Sequence, residues 1–324
     1  MKHPSTAVLA LLSFVATLHF SRIDAPGWQL PSLQAEGPIS VLKTAAGFDF
    51  VEDGVAVVSY QREPLEQNGK YRRRHYLHPI LGLDGEVLTE DFPTDHLHHR
   101  GVFWAWHQVI VNDKPLGDAW VCNNFFWDVV QAKIIPATPL GRLDLDVIWS
   151  SNDYTDKDGQ RLPLVRERAQ ITVHPRTKFY RIIDVRFSLE PLVDRVAIGG
   201  STDSKGYGGF SVRMKLQPPM RFLTSHGEVE PTKNAISGGA WVDVRGPVGR
   251  EGRQAGIAIL QRAPSPQIPQ PWILRRSRSM QNAAFPGRDP VLLSRDKPLE
   301  FNYRLVIHQC NGVNAELLTR LLSK

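Results

Sequence analysis

Four of the chain's eleven histidines fall between positions 96 and 107, in the run Glu90-Asp91-Phe92-Pro93-Thr94-Asp95-His96-Leu97-His98-His99-Arg100-Gly101-Val102-Phe103-Trp104-Ala105-Trp106-His107. An even spread would put fewer than one there. Imidazole titrates near neutrality, donates or accepts through two ring nitrogens and ligates metals. Beside Asp95 and Arg100, such a group can move protons, hold an oxygen-rich ligand or bind a cation. Read as extended chain, His96, His98 and Arg100 share one face and His99 takes the other, with Gly101 permitting a bend. Three readings stay open. His96, His98 and His99 form a catalytic cluster with Arg100 as a ligand-binding neighbour; or His96 and His98 are two ligands of a divalent or transition metal whose third ligand is not visible; or the imidazoles and Asp95 form a hydrogen-bonded loop network. No cofactor is assigned.

Other segments supply partners for this chemistry. Trp104 and Trp106 share one strand face, either as core or as a stacking platform for sugar rings. Ser201-Thr202-Asp203-Ser204-Lys205-Gly206-Tyr207-Gly208-Gly209-Phe210 is a polar loop running through glycines into a strand, which suits close approach to a ligand and nominates Lys205 and Tyr207. It lacks the Gly-Lys-Ser/Thr order of a phosphate loop. His226-Gly227-Glu228-Val229-Glu230 sets Glu228 beside a histidine, as an acid/base group or a plain turn. Gln270 to Arg276 offers Arg275 for hydroxyls or a carboxylate. Glu167 falls on the apolar face of Val165 to Val173, paired to an arginine of a facing sheet or set in a cleft. There is no Gly-X-Ser-X-Gly elbow, dinucleotide fingerprint or His-Glu-X-X-His helix.

The elements that must position these groups are strands. Segments such as Val55–Tyr60, Val102–Val111, Leu143–Trp149, Val165–Val173, Tyr180–Leu189, Phe210–Leu216 and Phe301–His308 are rich in β-branched and aromatic residues, and several alternate polar with apolar. Asp53-Gly54, Asn68-Gly69, Asp84-Gly85 and Asp158-Gly159 separate them as turns. One helix is expected, Asn314 to Leu322, capped by Asn314. No β-α-β alternation or fixed repeat occurs. The pattern predicts an all-β fold, a large antiparallel β-sandwich with a short C-terminal helix, as one domain over residues 39–324.

Composition narrows the partners. With 324 residues, 42% hydrophobic, and 39 Lys+Arg against 33 Asp+Glu, the chain is globular and carries a net charge of +6. The basic excess is scattered and no nucleic-acid-binding motif accompanies it, so no nucleic-acid partner is expected. Residues 1–25 combine a short basic start, an apolar run from Ala7 to Leu18 and a small residue at Ala25. That is the form of a signal peptide, followed by a Pro-rich linker over 26–38, and it predicts an exported protein, periplasmic or extracellular. No later segment is long and apolar enough for a membrane span. Cys122 and Cys310 can form one disulfide or remain two thiols.

The stretch from Tyr71-Arg72 to His78-Pro79, the run Gly85 to Pro93, the Asp95-His96-Leu97-His98-His99-Arg100-Gly101 box with Trp104, and Lys205-Gly206-Tyr207-Gly208-Gly209-Phe210 together resemble the bacterial family known as "methane oxygenase PmoA". The likeness covers about residues 40 to 310. The family's name is a poor guide, because the membrane methane monooxygenase subunit is largely transmembrane helix and this chain shows no such segment after the leader. The resemblance implies a family of unsettled biochemistry, often exported and common in bacteria that degrade complex glycans. Its sandwich is similar to the galactose-mutarotase-like supersandwich, whose enzymes use histidines and a carboxylate on sugars. The resulting expectation is a secreted carbohydrate-processing enzyme of hydrolase, lyase or epimerase type. The alternatives are a non-catalytic glycan-binding module and a metal-dependent, oxygenase-like enzyme.

Overall fold

A computed structural model describes residues 37–248 and 251–323 of the chain. Period-2 alternation decides the architecture. In Leu140–Ser150 the buried side chains include Leu143, Leu145, Val147 and Trp149, and in Val165–Val173 they include Val165, Glu167, Ala169, Ile171 and Val173. Each strand therefore offers one apolar face, which only a second sheet can cover.

Two large antiparallel sheets supply that cover. The eight-stranded sheet runs β1 (Ser40–Lys43), β2 (Gly47–Glu52), β3 (Val55–Gln61), β6 (Tyr76–Ile80), β7 (Val102–Trp106), β15 (Gly208–Arg213), β21 (Met280–Ala284) and β20 (Trp272–Ile273). The nine-stranded sheet runs β10 (Phe126–Ala137), β11 (Leu140–Ser150), β12 (Val165–Val173), β13 (Tyr180–Pro191), β23 (Leu299–His308), β19 (Arg253–Arg262), β18 (Trp241–Val248), β16 (Arg221–Thr224) and β17 (Gly227–Glu228). A four-stranded sheet of β22 (Val291–Leu292), β14 (Val196–Gly199), β8 (Gln108–Val111) and β9 (Lys114–Gly117) accompanies them, with the hairpin β4 (Leu65–Gln67) and β5 (Lys70–Arg73). The all-β sandwich expected from the sequence is the fold, and the described residues belong to one compact unit. At Asp53-Gly54 and Asn68-Gly69 both residues have positive φ, as two-residue hairpin turns require.

Aromatic rings join the two large sheets. Trp104 stacks on Phe187 at 5.0 Å and Phe210 on Tyr303 at 4.2 Å, each pair taking one ring from either sheet. Trp106 meets Trp149 and Phe301 in the same layer. Both Trp104 and Trp106 are thus enclosed core residues, and the sugar platform considered for them is corrected. Burial of a tryptophan this complete is worth several kcal/mol, about 3–5 on truncation to alanine.

Glu167 also lies in this layer, fully buried, and its partners are not arginines. It accepts hydrogen bonds from Trp104 Nε1 (2.5 Å), Trp149 Nε1 (2.8 Å) and His75 Nε2 (2.7 Å), while His75 Nδ1 accepts from the Tyr60 hydroxyl (2.8 Å). Burial and the neighbouring Glu167 charge push the Tyr60 hydroxyl pKa well up, so it stays a donor. The helix α1 (Ala315–Ser323) is capped by Asn314, whose Oδ1 accepts from Leu317 N at 2.9 Å. Its Leu318 and Leu321 pack on Trp241, Leu260 and Val306 of the nine-stranded sheet.

The leader expected over residues 1–25 lies outside the described residues, as does the linker apart from Gly37 and Pro38. Cys122 and Cys310 are both free thiols. No helix among the described residues is long and apolar enough to cross a membrane.

Candidate functional site: a histidine cluster on the eight-stranded sheet

Alternation in β7 sends Trp104 and Trp106 inward, so Phe103 and the following His107 face outward. The segment before β7 carries the other histidines, and it is not extended as its spacing suggested. His96 N bonds to Pro93 O at 3.0 Å and His99 N to His96 O at 2.9 Å, two successive turns. Folding the chain this way brings all three rings together instead of splitting them between faces. His96 stacks on His99 at 4.7 Å, and His98 meets His96 at 5.6 Å and His99 at 4.6 Å edge-on.

Arg100 is what closes the turn. Its guanidinium donates to Leu97 O (2.6 Å) and Tyr71 O (2.6 Å), lies over the Phe92 ring at 3.3 Å and pairs with Asp91 at 3.2 Å. It is fully buried, so the ligand-binding role considered for Arg100 is corrected to a structural clasp. Gly101 follows because β7 starts hard against β6: a Cβ there would sit 2.1 Å from Leu77 O. The His-His-Arg-Gly box is a folding unit that presents the imidazoles.

A second arginine fixes the ring orientations from below. Arg213 of β15 donates to Asp95 (2.7 and 3.1 Å), Glu90 (2.8 Å) and His99 Nδ1 (3.3 Å). Because the guanidinium is the donor, His99 carries its proton on Nε2. Asp95 also accepts from His96 Nδ1 at 2.7 Å. Burial opposes its charge, but the bonds from Arg213 and His96 outweigh that and hold its carboxyl well below the ordinary range. Burial, with the nearby Arg73 and His96 charges, pushes His98 down to about 3. Burial, with His98 and His96, pushes His99 down to about 2. Both are neutral imidazoles at neutral pH.

The loop after β9 packs against this cluster. Asp118 N and O each bond to Asn123 at 2.9 Å, and Asp118 Oδ1 takes Val121 N, forming a tight turn. Asp118 Oδ2 then reaches His107 Nδ1 at 2.8 Å, and Trp120 stacks under the His107 ring at 5.3 Å. Both members of this pair are part-exposed, 22% for His107 and 28% for Asp118. Trp120 also lies 6.2 Å from His99 and 5.6 Å from Tyr207, so one indole bridges the histidine turn and the glycine-rich loop. Beyond Tyr207 come Lys205 Nζ at 5.9 Å and the Arg275 guanidinium at 5.4 Å from its ring. Lys205 is paired to Asp203 at 3.1 Å, and Arg275 spends its donors on Thr232 O, Lys233 O and Leu274 O.

Trp120 therefore links the turn of His96, His98 and His99 to Tyr207, with Lys205 and Arg275 beyond it. Glu228 lies apart. It sits exposed on the edge strand β17 of the other large sheet, and Arg221 grips its carboxylate at 2.9 and 2.7 Å. Those bonds lower its pKa and keep it ionised, so the acid/base role considered for Glu228 is corrected. The pairing of His107 with Asp118, the bridging Trp120 and the anchor Arg213 were not singled out from sequence. Only the outward register of His107 hinted at them. Among the described residues, no group of three or more His, Cys, Asp or Glu is placed to hold a metal ion. His96 Nδ1 is committed to Asp95, which leaves its Nε2 for a metal, but no third His, Cys, Asp or Glu is placed with His96 and His98 to complete a site among the described residues.

Residues 48–321 match the model of a protein family described as "Family of unknown function (DUF6807)", and the chain belongs to that family. No curated protein matches the chain.

Proposed function

We propose that the chain is a carbohydrate-processing enzyme that works by proton transfer at the histidine cluster. The observation that carries this reading is the His107–Asp118 pair. The carboxylate accepts a hydrogen bond from Nδ1–H and fixes the ring, which leaves Nε2 to accept a proton from a ligand hydroxyl or C–H, or return one to an oxygen. His96, oriented the same way by Asp95, is the counterpart that supplies or removes the second proton. His98, neutral and against His96, accepts a hydrogen bond without adding charge, and the Tyr207 hydroxyl and Lys205 hold hydroxyl groups. The resemblance to a family common in bacteria that degrade complex glycans, and of its sandwich to the mutarotase-like supersandwich, favours sugars as the ligand, by analogy only. An exported location follows from residues 1–25 and belongs to the same proposal.

Incubation with a panel of plant and algal oligosaccharides tests it. Turnover of at least one is expected, falling about 10²-fold or more in His107→Ala with binding retained. A second reading, a glycan-binding module without catalysis, is favoured by His96 and His99 being tied to Asp95 and Arg213. Saturable binding with no product, unchanged in His107→Ala, would establish that reading and overturn the first.

A further inference from the structure

Beside the hairpin strand β5 lies a pocket of about 240 Å³, lined by Pro64, Arg72, Arg74, Phe125, Phe126, Trp127, Asp128 and Arg161. Three guanidinium groups face one carboxylate there. The pairings are loose: Arg161 stands 3.7 Å from Asp128, and Arg72 stands 3.9 Å from Glu66, both beyond hydrogen-bond length. Arg161 instead lies over the Phe126 ring, its guanidinium carbon 3.8 Å from the centroid. Stacking uses the face of a guanidinium and leaves its in-plane donors pointing outward, the geometry that takes an oxyanion in a two-pronged bond. The floor is rigid, since Trp127 also carries Arg73 at 4.7 Å on its ring, and Arg73 in turn holds the Asp118 loop through Ala119 O and Trp120 O.

We propose that this pocket binds the carboxylate or sulfate of an acidic sugar; the arginines call for the oxyanion, and the sugar rests on the carbohydrate reading proposed above. Its volume lies below the ~300–1,000 Å³ of sites for drug-sized ligands, which fits one charged unit and not an oligomer. The arginines supply charge and fork geometry, and the aromatic rings supply a dry wall. Tyr71, next in the chain to Arg72, packs 6.3 Å from His98, so the hairpin that lines the pocket also borders the histidine cluster. The pocket is nevertheless a separate site, whose occupation requires no turnover.

Titration of the full-length protein with galacturonate, galactose 6-sulfate, inorganic sulfate and neutral galactose, followed by calorimetry and by arginine Nε–H resonances, tests the proposal. Saturable binding of at least one acidic sugar is expected, with neutral galactose at least tenfold weaker. Arg74→Gln and Arg161→Gln should each weaken it about tenfold or more, and Arg161→Lys should weaken it less than Arg161→Gln. Binding of galacturonate alone assigns the carboxylate, and binding of galactose 6-sulfate alone assigns the sulfate ester. Binding of neither acidic sugar, binding of inorganic sulfate only, or affinity unchanged in both glutamine variants with the wild-type fold retained would overturn it. Wild-type resonances of Arg74 and Arg161 that stay fixed at saturation would overturn it as well, without any variant. His107→Ala should leave this binding intact, so failure here and failure of the proton-transfer reading are read separately.

Discussion

Two histidine–carboxylate pairs in this molecule use the same atoms for different ends. In the core, His75 and Glu167 are 1% and 0% exposed, and the carboxylate receives two indole N–H groups besides the imidazole. The other nitrogen of His75 is taken by Tyr60. Nothing remains for a ligand, and the network joins the two sheets. On the outer side of the eight-stranded sheet, His107 and Asp118 hold each other at almost the same distance, but both are part-exposed, and among the described residues the second ring nitrogen of His107 has no hydrogen-bond partner. A histidine beside an acid is thus no mark of a site by itself. Saturation of its remaining hydrogen-bond capacity decides whether it builds or reacts.

That contrast can be broken at either end. The largest effect is expected at Glu167→Ala, which leaves two indole donors and a histidine without their acceptor inside the core. A loss of about 3–5 kcal/mol is expected in denaturant unfolding. A loss below about 1 kcal/mol would mean that the network is not a structural joint. Arg100→Met should cost about 1–3 kcal/mol through the stranded carbonyls of Leu97 and Tyr71, and should also disorder the His96–His99 stack, visible in imidazole resonances.

Acid tests the site's neutral imidazoles. His98 and His99 have folded pKa values near 3 and 2, below the ordinary 6.5, so between about pH 6.5 and 3 the unfolded chain binds protons that the folded one refuses. Stability therefore falls as pH falls through that window, by up to ~1.4 kcal/mol per pH unit for each such group. Carboxylates held low, such as Asp184 at about 2, add their loss only nearer pH 4 and below. A melting temperature flat from pH 6.5 to 4.5, or a slope unchanged in His99→Gln, would contradict the buried neutral assignment.

The smallest stability effects are expected where groups are exposed. Asp118→Asn should change stability by under about 1 kcal/mol while lowering turnover, because it frees the His107 ring without opening the core. Arg221→Ala, which releases Glu228, should change both by little. A turnover loss there as large as in Asp118→Asn would return Glu228 to the reaction.

Much of the fold was legible in the residues. Alternation marked the long strands, Asp53-Gly54 and Asn68-Gly69 marked hairpins, and Asn314 marked the helix start, because strand period, positive φ and capping are local requirements. The indoles of Trp104 and Trp106 were correctly placed on one face. The site was legible only as a cluster of types. Whether Arg100 faces a ligand or a carbonyl, and whether Glu228 stands near a histidine, depends on contacts between segments far apart in sequence.

By itself, then, the sequence determined an antiparallel sandwich, a dense histidine cluster and a carboxylate on the inner face of Val165 to Val173. Tertiary structure alone decided that Arg100 turns inward to the Tyr71 carbonyl, that Glu167 meets His75 from 92 positions away, and that Asp118 and Trp120 pack on His107. The physical reason is range. Backbone propensity and alternation act over a few residues, whereas burial and hydrogen-bond satisfaction are settled only when two sheets close on each other and each buried polar group must find its partner.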